Sequence, residues 1–348
     1  MKSIFIILSI VIVLMLAPLA GYSSPDITLI NTKTGKRCSP PYSTFRQSIV
    51  DINTESRQFS TLKKKNNILK NDTLVYTTYD ENCRKLKEQT LPMFLESCDP
   101  GGPDKTFTIR NSNFAYTKIV KQKNDEDRTK ELHLYDMVAM KDRIVAPNFT
   151  LRGYKEVSFM QWISNDEIIL IHGNIFIINI VSGEQRNIYC EEELSMPRVA
   201  LSPDCTRLAF TATGERRNTV IKILALDSGK IIATIGSETG TRKQLPRWSL
   251  DGRELAYVDG KQMKVYYIDG GREKILKTLP PDYLYYDLVF GKDIIGYTDG
   301  NINKPEARKT FHIINAKTGK PLKNITLAFT GDIWLLDNDC TFICETGT

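Results

Sequence analysis

Leu245-Pro-Arg-Trp-Ser-Leu-Asp-Gly-Arg-Glu-Leu-Ala-Tyr-Val-Asp259, continuing through Lys264-Val-Tyr-Tyr-Ile268 to Gly270-Gly271, is the stretch on which the fold turns. An apolar step runs into a Ser-x-Asp-Gly turn, and an alternating Leu-Ala-Tyr-Val strand follows. A polar break, a Val-Tyr-Tyr-Ile strand and a Gly turn complete one antiparallel meander. A single such meander has two faces and can bury neither alone. Similar stretches recur at a period of about forty residues, which predicts stacked four-stranded units. The predicted fold class is therefore all-β, a β-propeller.

Working outward, Arg198-Val-Ala-Leu-Ser-Pro-Asp204 with Arg207-Leu-Ala-Phe-Thr-Ala212 and Val220-Ile-Lys-Ile-Leu-Ala-Leu226 repeats the pattern upstream. Tyr285 to Phe290, Asp293 to Thr298 and Thr310 to Ile314 repeat it downstream. Earlier, Ser158 to Trp162, Glu167 to Ile171 and Asn174 to Ile180 form a unit so apolar that it needs buried neighbours on both faces. Phe107 to Ile109, Asn113 to Val120 and Glu131 to Tyr135 form another, with Lys121 to Arg128 as a solvated hairpin tip. From Ser43 to Pro92 the alternation is weaker, and the Lys63-Lys64-Lys65 run reads as a solvated turn.

Ile30-Asn-Thr-Lys-Thr-Gly-Lys36 is matched by Ile314-Asn-Ala-Lys-Thr-Gly-Lys320, so the same hairpin stands near both ends of the chain. A chain that begins with the second half of a repeat and ends with the first half can share one unit between its termini. Polar turns between the last two strands fall at Gly35, near Asn82, near Lys141, and at Gly183, Gly229, Gly271 and Gly319. The expectation is seven four-stranded blades closed by pairing of the N- and C-terminal strands, with Ile27 to Ile30 against strands ending near Cys344, which removes the open sheet edge. Trp162, Trp248 and Trp334 each stand just before the first turn of a unit, where Leu201 and Phe290 stand in other copies. Large rings at one recurring place are expected as packing between sheets.

Leu201-Ser-Pro-Asp-Cys-Thr-Arg-Leu-Ala-Phe210 and Trp248-Ser-Leu-Asp-Gly-Arg-Glu-Leu-Ala-Tyr257 resemble the TolB-type propeller repeat. Its core pattern is an aromatic, Ser-Pro-Asp-Gly, a basic residue and Leu-Ala-Phe, and the resemblance extends over roughly half the chain in repeats of about forty residues. It implies an extracytoplasmic propeller, often a partner-binding part of an envelope complex; the same repeat also occurs attached to peptidase and other enzyme domains. A counterpart of the separate N-terminal α/β domain of TolB is not expected here.

Composition agrees with a globular chain: 348 residues, 41% apolar, 25% charged, with a formal net charge of +6 spread along the sequence. That spread does not fit a nucleic-acid surface. Met1-Lys2 and the uncharged apolar run from Ile4 to Leu19, then Gly21 and Ser23, read as an export signal, with a retained membrane anchor as the alternative. The expected layout is residues 1–24 as signal or anchor and 25–348 as one propeller domain, with the Cys98 to Lys105 loop its most pronounced internal break. The seven cysteines are an odd number, so in an oxidising compartment at least one lacks an intramolecular partner, and the pairing is open. Cys340 and Cys344 on one strand face would be too far apart to bond.

The chemistry searched for has little support. Gly236-Ser-Glu-Thr-Gly240 carries its Ser one place too early for a nucleophile elbow and is too short for a phosphate loop. His133, His172 and His312 are far apart in sequence, and no metal ligand set, cofactor site or catalytic residue is assigned. Asn71, Asn148 and Asn324 match the glycosylation acceptor pattern. The expected function is a periplasmic or secreted binding module, a monomer holding a protein or peptide partner. The competing readings are a lyase or hydrolase acting on a polysaccharide or peptide in the central channel, and an envelope scaffold held by an uncleaved N-terminal segment.

Overall fold

The computed structural model describes residues 27–40, 47–53, 56–67, 70–91, 107–110, 112–122, 127–152, 159–190, 198–213, 219–236, 243–301, 310–327, 333–335 and 342–346. The apolar N-terminal segment, the Cys98 to Lys105 loop, Cys340 and most of Gly236 to Gly240 lie outside them. The chain opens with β1 (Ile27–Asn31) and β2 (Arg37–Cys38). Six meanders follow. The first is β3 (Gln47–Asn53), β4 (Gln58–Asn67), β5 (Lys70–Tyr79) and β6 (Lys85–Leu91), and the second is β7 (Phe107–Arg110), β8 (Asn113–Gln122), β9 (Asp127–Asp136) and β10 (Lys141–Arg152). The third is β11 (Phe159–Trp162), β12 (Glu167–His172), β13 (Asn174–Asn179) and β14 (Gln185–Cys190), and the fourth is β15 (Val199–Leu201), β16 (Arg207–Thr213), β17 (Thr219–Ala225) and β18 (Ile231–Ile235). The fifth is β19 (Lys243–Trp248), β20 (Glu254–Asp259), β21 (Gln262–Tyr267) and β22 (Arg272–Thr278), and the sixth is β23 (Tyr283–Phe290), β24 (Ile294–Asn301), β25 (Thr310–Asn315) and β26 (Pro321–Thr326). β27 (Ile333–Leu335) and β28 (Phe342–Thr346) come last.

Each meander is one antiparallel four-stranded sheet, and a further sheet runs β2-β1-β28-β27, drawing strands from both ends of the chain. In that shared sheet Leu29 pairs with Cys344 and Ile30 with Ile343. Among the described residues there are thus seven four-stranded antiparallel sheets.

Burial explains the order of strands within each sheet. The middle strands are apolar through both faces: Ile168 to Ile171 of β12 and Leu255 to Val258 of β20 are all buried. Several fourth strands are polar and exposed, as in Lys85-Leu-Lys-Glu of β6 and Arg272-Glu-Lys-Ile of β22, and the lysines on these edges discourage pairing with another chain.

The apolar residues form clusters that each join two sheets. One brings Leu62 and Tyr76 of the first sheet to Phe114 and Tyr135 of the second. Others link second to third through Leu132 and Trp162, third to fourth through Ile169 and Phe210, fourth to fifth through Ile223 and Trp248, and fifth to sixth through Val265 and Leu288. The last two flank the shared sheet, where Ile30 meets Phe311 of the sixth sheet and Leu29 meets Phe59 of the first. Trp162 and Trp248 therefore fill seams between sheets, as their register predicted. Trp334 lies in β27 opposite Cys344.

Two kinds of turn recur. In the Ser-x-Asp turns, Ser202 Oγ donates to Asp204 at 2.6 Å and accepts from the Arg207 N–H at 2.9 Å; Ser249 Oγ does the same with Asp251 at 2.7 Å and the Glu254 N–H at 2.9 Å. The Asp251 carboxyl is held below its ordinary range by the Ser249 hydroxyl and the Arg253 N–H. Between third and fourth strands, the side-chain oxygens of Asn31, Asp136, Asn179 and Asn315 each accept the next two free N–H groups. These turns press on the neighbouring sheet. A Cβ added at Gly183 (φ 76°) would lie 2.6 Å from the Val145 carbonyl oxygen, and one at Gly229 (φ 66°) 2.7 Å from that of Ile188.

One local expectation is corrected. Lys63 to Lys65 are not a turn: they lie inside β4, paired with Val75, Leu74 and Thr73 of β5. Pairing with the β-type run Thr73-Leu-Val-Tyr-Thr-Thr78 outweighs the three charges. The hairpin tip at Lys121 to Arg128 is also shorter than the charges suggest, since Lys121 pairs with Thr129 and Gln122 with Arg128.

Candidate functional site

A three-strand station recurs on the sheets. Tyr257 of β20 faces Lys264 of β21, and Tyr297 of β24 faces His312 of β25. Two residues beyond each tyrosine, on the same strand face, stand Asp259 and Asp299. The carboxylates close on the opposing cation: Lys264 Nζ is 2.6 Å from Asp259, and His312 Nε2 is 2.9 Å from Asp299. The fourth strand adds a partner, Glu273 at 3.7 Å from Lys264 and Asn324 at 2.9 Å from His312 Nδ1. In the second sheet Tyr116 faces His133, with Lys118 in the place of the aspartate, and the carboxylates come instead from Asp142 at 2.9 Å and Glu131 at 3.1 Å. Both histidine rings stack on their tyrosines, with centroids 5.1 Å apart for Tyr116 and 4.8 Å for Tyr297.

In the sixth sheet the station opens onto a cavity of about 640 Å³ at the seam with the fifth sheet. The fifth sheet contributes Lys277 to Pro280 at the end of β22; the sixth contributes Tyr283, Tyr297, Asp299, His312 and Asn324, with Ile314, Gly319 and Pro321 behind them. Burial pulls the His312 imidazole down, but the hydrogen bond and charge of Asp299 outweigh it and leave the ring above its ordinary value. Burial, helped by the Asp299 charge, pushes the Tyr297 phenol up to about 12. It stays a neutral donor throughout the physiological range. Tyr285 packs edge-on against Tyr297 at 5.3 Å and shares the upward shift through burial.

Chemically this is an aromatic-walled recess with a cation at its edge. Both ring nitrogens of His312 are committed to Asp299 and Asn324, which leaves no lone pair for a metal ion. Among the described residues no three His, Cys, Asp or Glu side chains are grouped to hold a metal. The three histidines lie on three different sheets, His133 in β9, His172 at the end of β12 and His312 in β25. His312 and Asn324 stand twelve residues apart in the sequence and are joined by the pairing of β25 with β26. The available signal was Tyr-x-Asp with a basic residue opposite on the next strand, present twice, at Tyr257 and Tyr297.

No family model matches the chain, and no curated protein matches it in sequence. Solved structures do resemble it. A putative TolB from Agrobacterium tumefaciens has a TM-score of 0.51 at 11% identity, over 91% of this chain and 95% of that one. The complex of KlAtg21 with the coiled-coil of AgAtg16 gives 0.56 at 13%, over 84% and 87%. A prolyl endopeptidase gives 0.56 at 12%, over 83% of this chain but 42% of that one. At these identities the likeness shows the fold alone. The protein is of the all-β, propeller-like class, built from four-stranded antiparallel sheets and carrying a polar recess at one sheet-to-sheet seam.

Proposed function

We propose that this chain is an extracytoplasmic binding module that holds a peptide or protein partner and performs no catalysis. In this reading residues 25–348 form one monomeric, seven-bladed propeller closed by β1 against β28, and residues 1–24 are a signal or an anchor. The cyclic order of the seven apolar clusters supports the closed ring. The observation that carries the binding role is the recess between the fifth and sixth sheets. Tyr283 and Tyr297 offer rigid ring surface, and Lys277 supplies charge at its rim. Its histidine is tied at both nitrogens, so the recess is built to receive a side chain rather than to turn one over. One solved structure of similar fold is a complex of KlAtg21 with the coiled-coil of AgAtg16. The export signal read in the sequence supports the location.

Site-specific photo-crosslinking at Tyr283 in the native envelope tests this. A discrete crosslinked protein that disappears in Lys277→Glu is expected. Crosslinks unchanged by Lys277→Glu would remove the recess from the interface. Limited proteolysis tests the single domain, since release of two separately folded halves by cleavage between Cys98 and Lys105 would refute it.

The competing reading is a lyase or hydrolase. The Asp299–His312 pair beside the neutral Tyr297 phenol favours it, because an imidazole held by a carboxylate next to a proton donor is the equipment of acid–base catalysis. Turnover of a polysaccharide or peptide that is abolished by Asp299→Asn, with crosslinking at Tyr283 unchanged, would establish the enzyme in place of the binder.

A further inference from the structure

We propose that Cys38 and Cys83 are joined by a disulfide bond that staples the hairpin of the shared sheet to the first meander. Cys38 ends β2, and Cys83 sits in the turn between β5 and β6. Both belong to one apolar cluster with Ile27, Leu29, Phe59 and Tyr79, in which Cys83 is buried and Cys38 half-buried. Cys38 Sγ lies 4.0 Å from the carbonyl oxygen of Glu81, two residues before Cys83, and hydrogen bonding with the Cys83 side chain holds the Cys38 thiol below its ordinary value. Forming the bond then asks the two side chains of this cluster to rotate their sulfurs together.

The turn itself gives a second, independent indication. Cys83 adopts a left-handed conformation (φ 57°) at the closing position of its turn, where Gly35, Gly183, Gly229 and Gly319 stand in other sheets. A side chain there costs about 1 kcal/mol of backbone strain. Glycine would relieve it, and a sulfur–sulfur bond to the end of β2 would offset the strain that the side chain brings. The exposure difference sets the order of events. The thiolate of half-buried Cys38, favoured by the hydrogen bond from Cys83, attacks a small disulfide oxidant such as oxidised glutathione and expels one thiol. The Cys83 thiolate then attacks Cys38 Sγ in the mixed disulfide and expels the second. Two protein thiols are oxidised, the oxidant is reduced to two thiols, and two protons are carried away with it.

The experiment uses the purified chain, so its result does not depend on where the cell places the protein. After treatment with oxidised glutathione, alkylation and proteolysis, mass analysis is expected to recover the Cys38 and Cys83 peptides as one disulfide-linked species. Adding reductant is expected to lower the melting midpoint of the oxidised parent by roughly 5 °C. Reductant should leave the midpoint of Cys38→Ser unchanged, and Cys38→Ser tests the bond without disturbing the buried turn. Recovery of both cysteines in alkylated form after oxidation, or of either one linked to a different cysteine, would overturn the proposal.

Discussion

Ile30 occupies the point where the two ends of the chain meet, and Ile30→Ala is the sharpest test of that junction. Its side chain is fully buried among Val289, Phe311, Ile313 and Leu327 of the sixth sheet, while its backbone pairs with Ile343. Truncating a buried isoleucine to alanine costs roughly 2–5 kcal/mol. We take about 3 kcal/mol, because the cluster is lined by stiff strands that collapse little. Unfolding entropy for a chain of this length is about 0.7 kcal/mol per kelvin. The expected loss is thus a drop of about 4 °C in the melting midpoint, with a matching shift in urea midpoint and an unchanged urea slope. Leu322→Ala on the exposed face of β26 is the control and should move the midpoint by less than about 1 °C. Deleting residues 25–36 should go further, leaving one edge of β28 unpaired and the molecule prone to aggregation. An Ile30→Ala midpoint equal to that of the control would mean that β1 is not packed between the sixth and first sheets, and the ring reading would fall with it.

Other consequences can be checked separately. Ser249→Ala removes a hydroxyl that both donates to Asp251 and accepts the Glu254 N–H, and should cost about 1–2 kcal/mol in chemical denaturation. Asp251 has a depressed folded value, so its share of stability is present above the unfolded carboxyl range and lost as pH falls through the folded value; Ser249→Ala should shallow that acid transition. His312 is the opposite case. Its folded value lies above 6.5, so the Asp299 pair stabilises the protein below that pH and the contribution fades as pH rises through the folded value. In an NMR titration the His312 midpoint should stand above 6.5 and drop in Asp299→Asn. Met140 takes a left-handed position (φ 52°) that is glycine in most equivalent turns, and Met140→Gly should stabilise the protein by roughly 0.5–1 kcal/mol in thermal melts. Gly183→Ala should do the reverse, by at least about 1 kcal/mol, because the new methyl meets the Val145 carbonyl.

The parts of the fold legible in sequence are those where one residue type satisfies a local backbone demand. Ser202-Pro-Asp204 and Ser249-Leu-Asp251 were visible because the turn needs a hydroxyl and a carboxylate at fixed offsets, and the glycine turns because left-handed backbone disfavours a Cβ. The first meander was faint for the same reason: its turn is held by Asp80 and Cys83 in place of an Asn and a Gly, and β4 carries three lysines in a row. The recess was hidden because it is assembled from two sheets. Lys277 and Asp299 are brought together by packing, and no spacing along the chain records that. His312 was noted, but its partners on β24 and β26 follow from register, which the sequence specifies only once the strands are paired.

The way each turn leans on the sheet before it also bears on how the molecule is made. Gly183 rests on β10 and Gly229 on β14, so these two turns find their support already synthesised. The turn after β1 is the exception. Its carbonyls at Thr32 and Lys33 receive the ammonium of Lys323, and Arg37 donates to the Thr326 carbonyl at 2.5 Å, both from β26 near the far end of the chain. This hairpin therefore waits for a strand 290 residues further along. Throughout that interval β1 has an unpaired edge and an apolar face, and completion requires a contact of very long sequence separation, the kind that folds slowly. The final docking should accordingly be the slow step of refolding, and the period before it is when the chain most needs protection from other copies of itself.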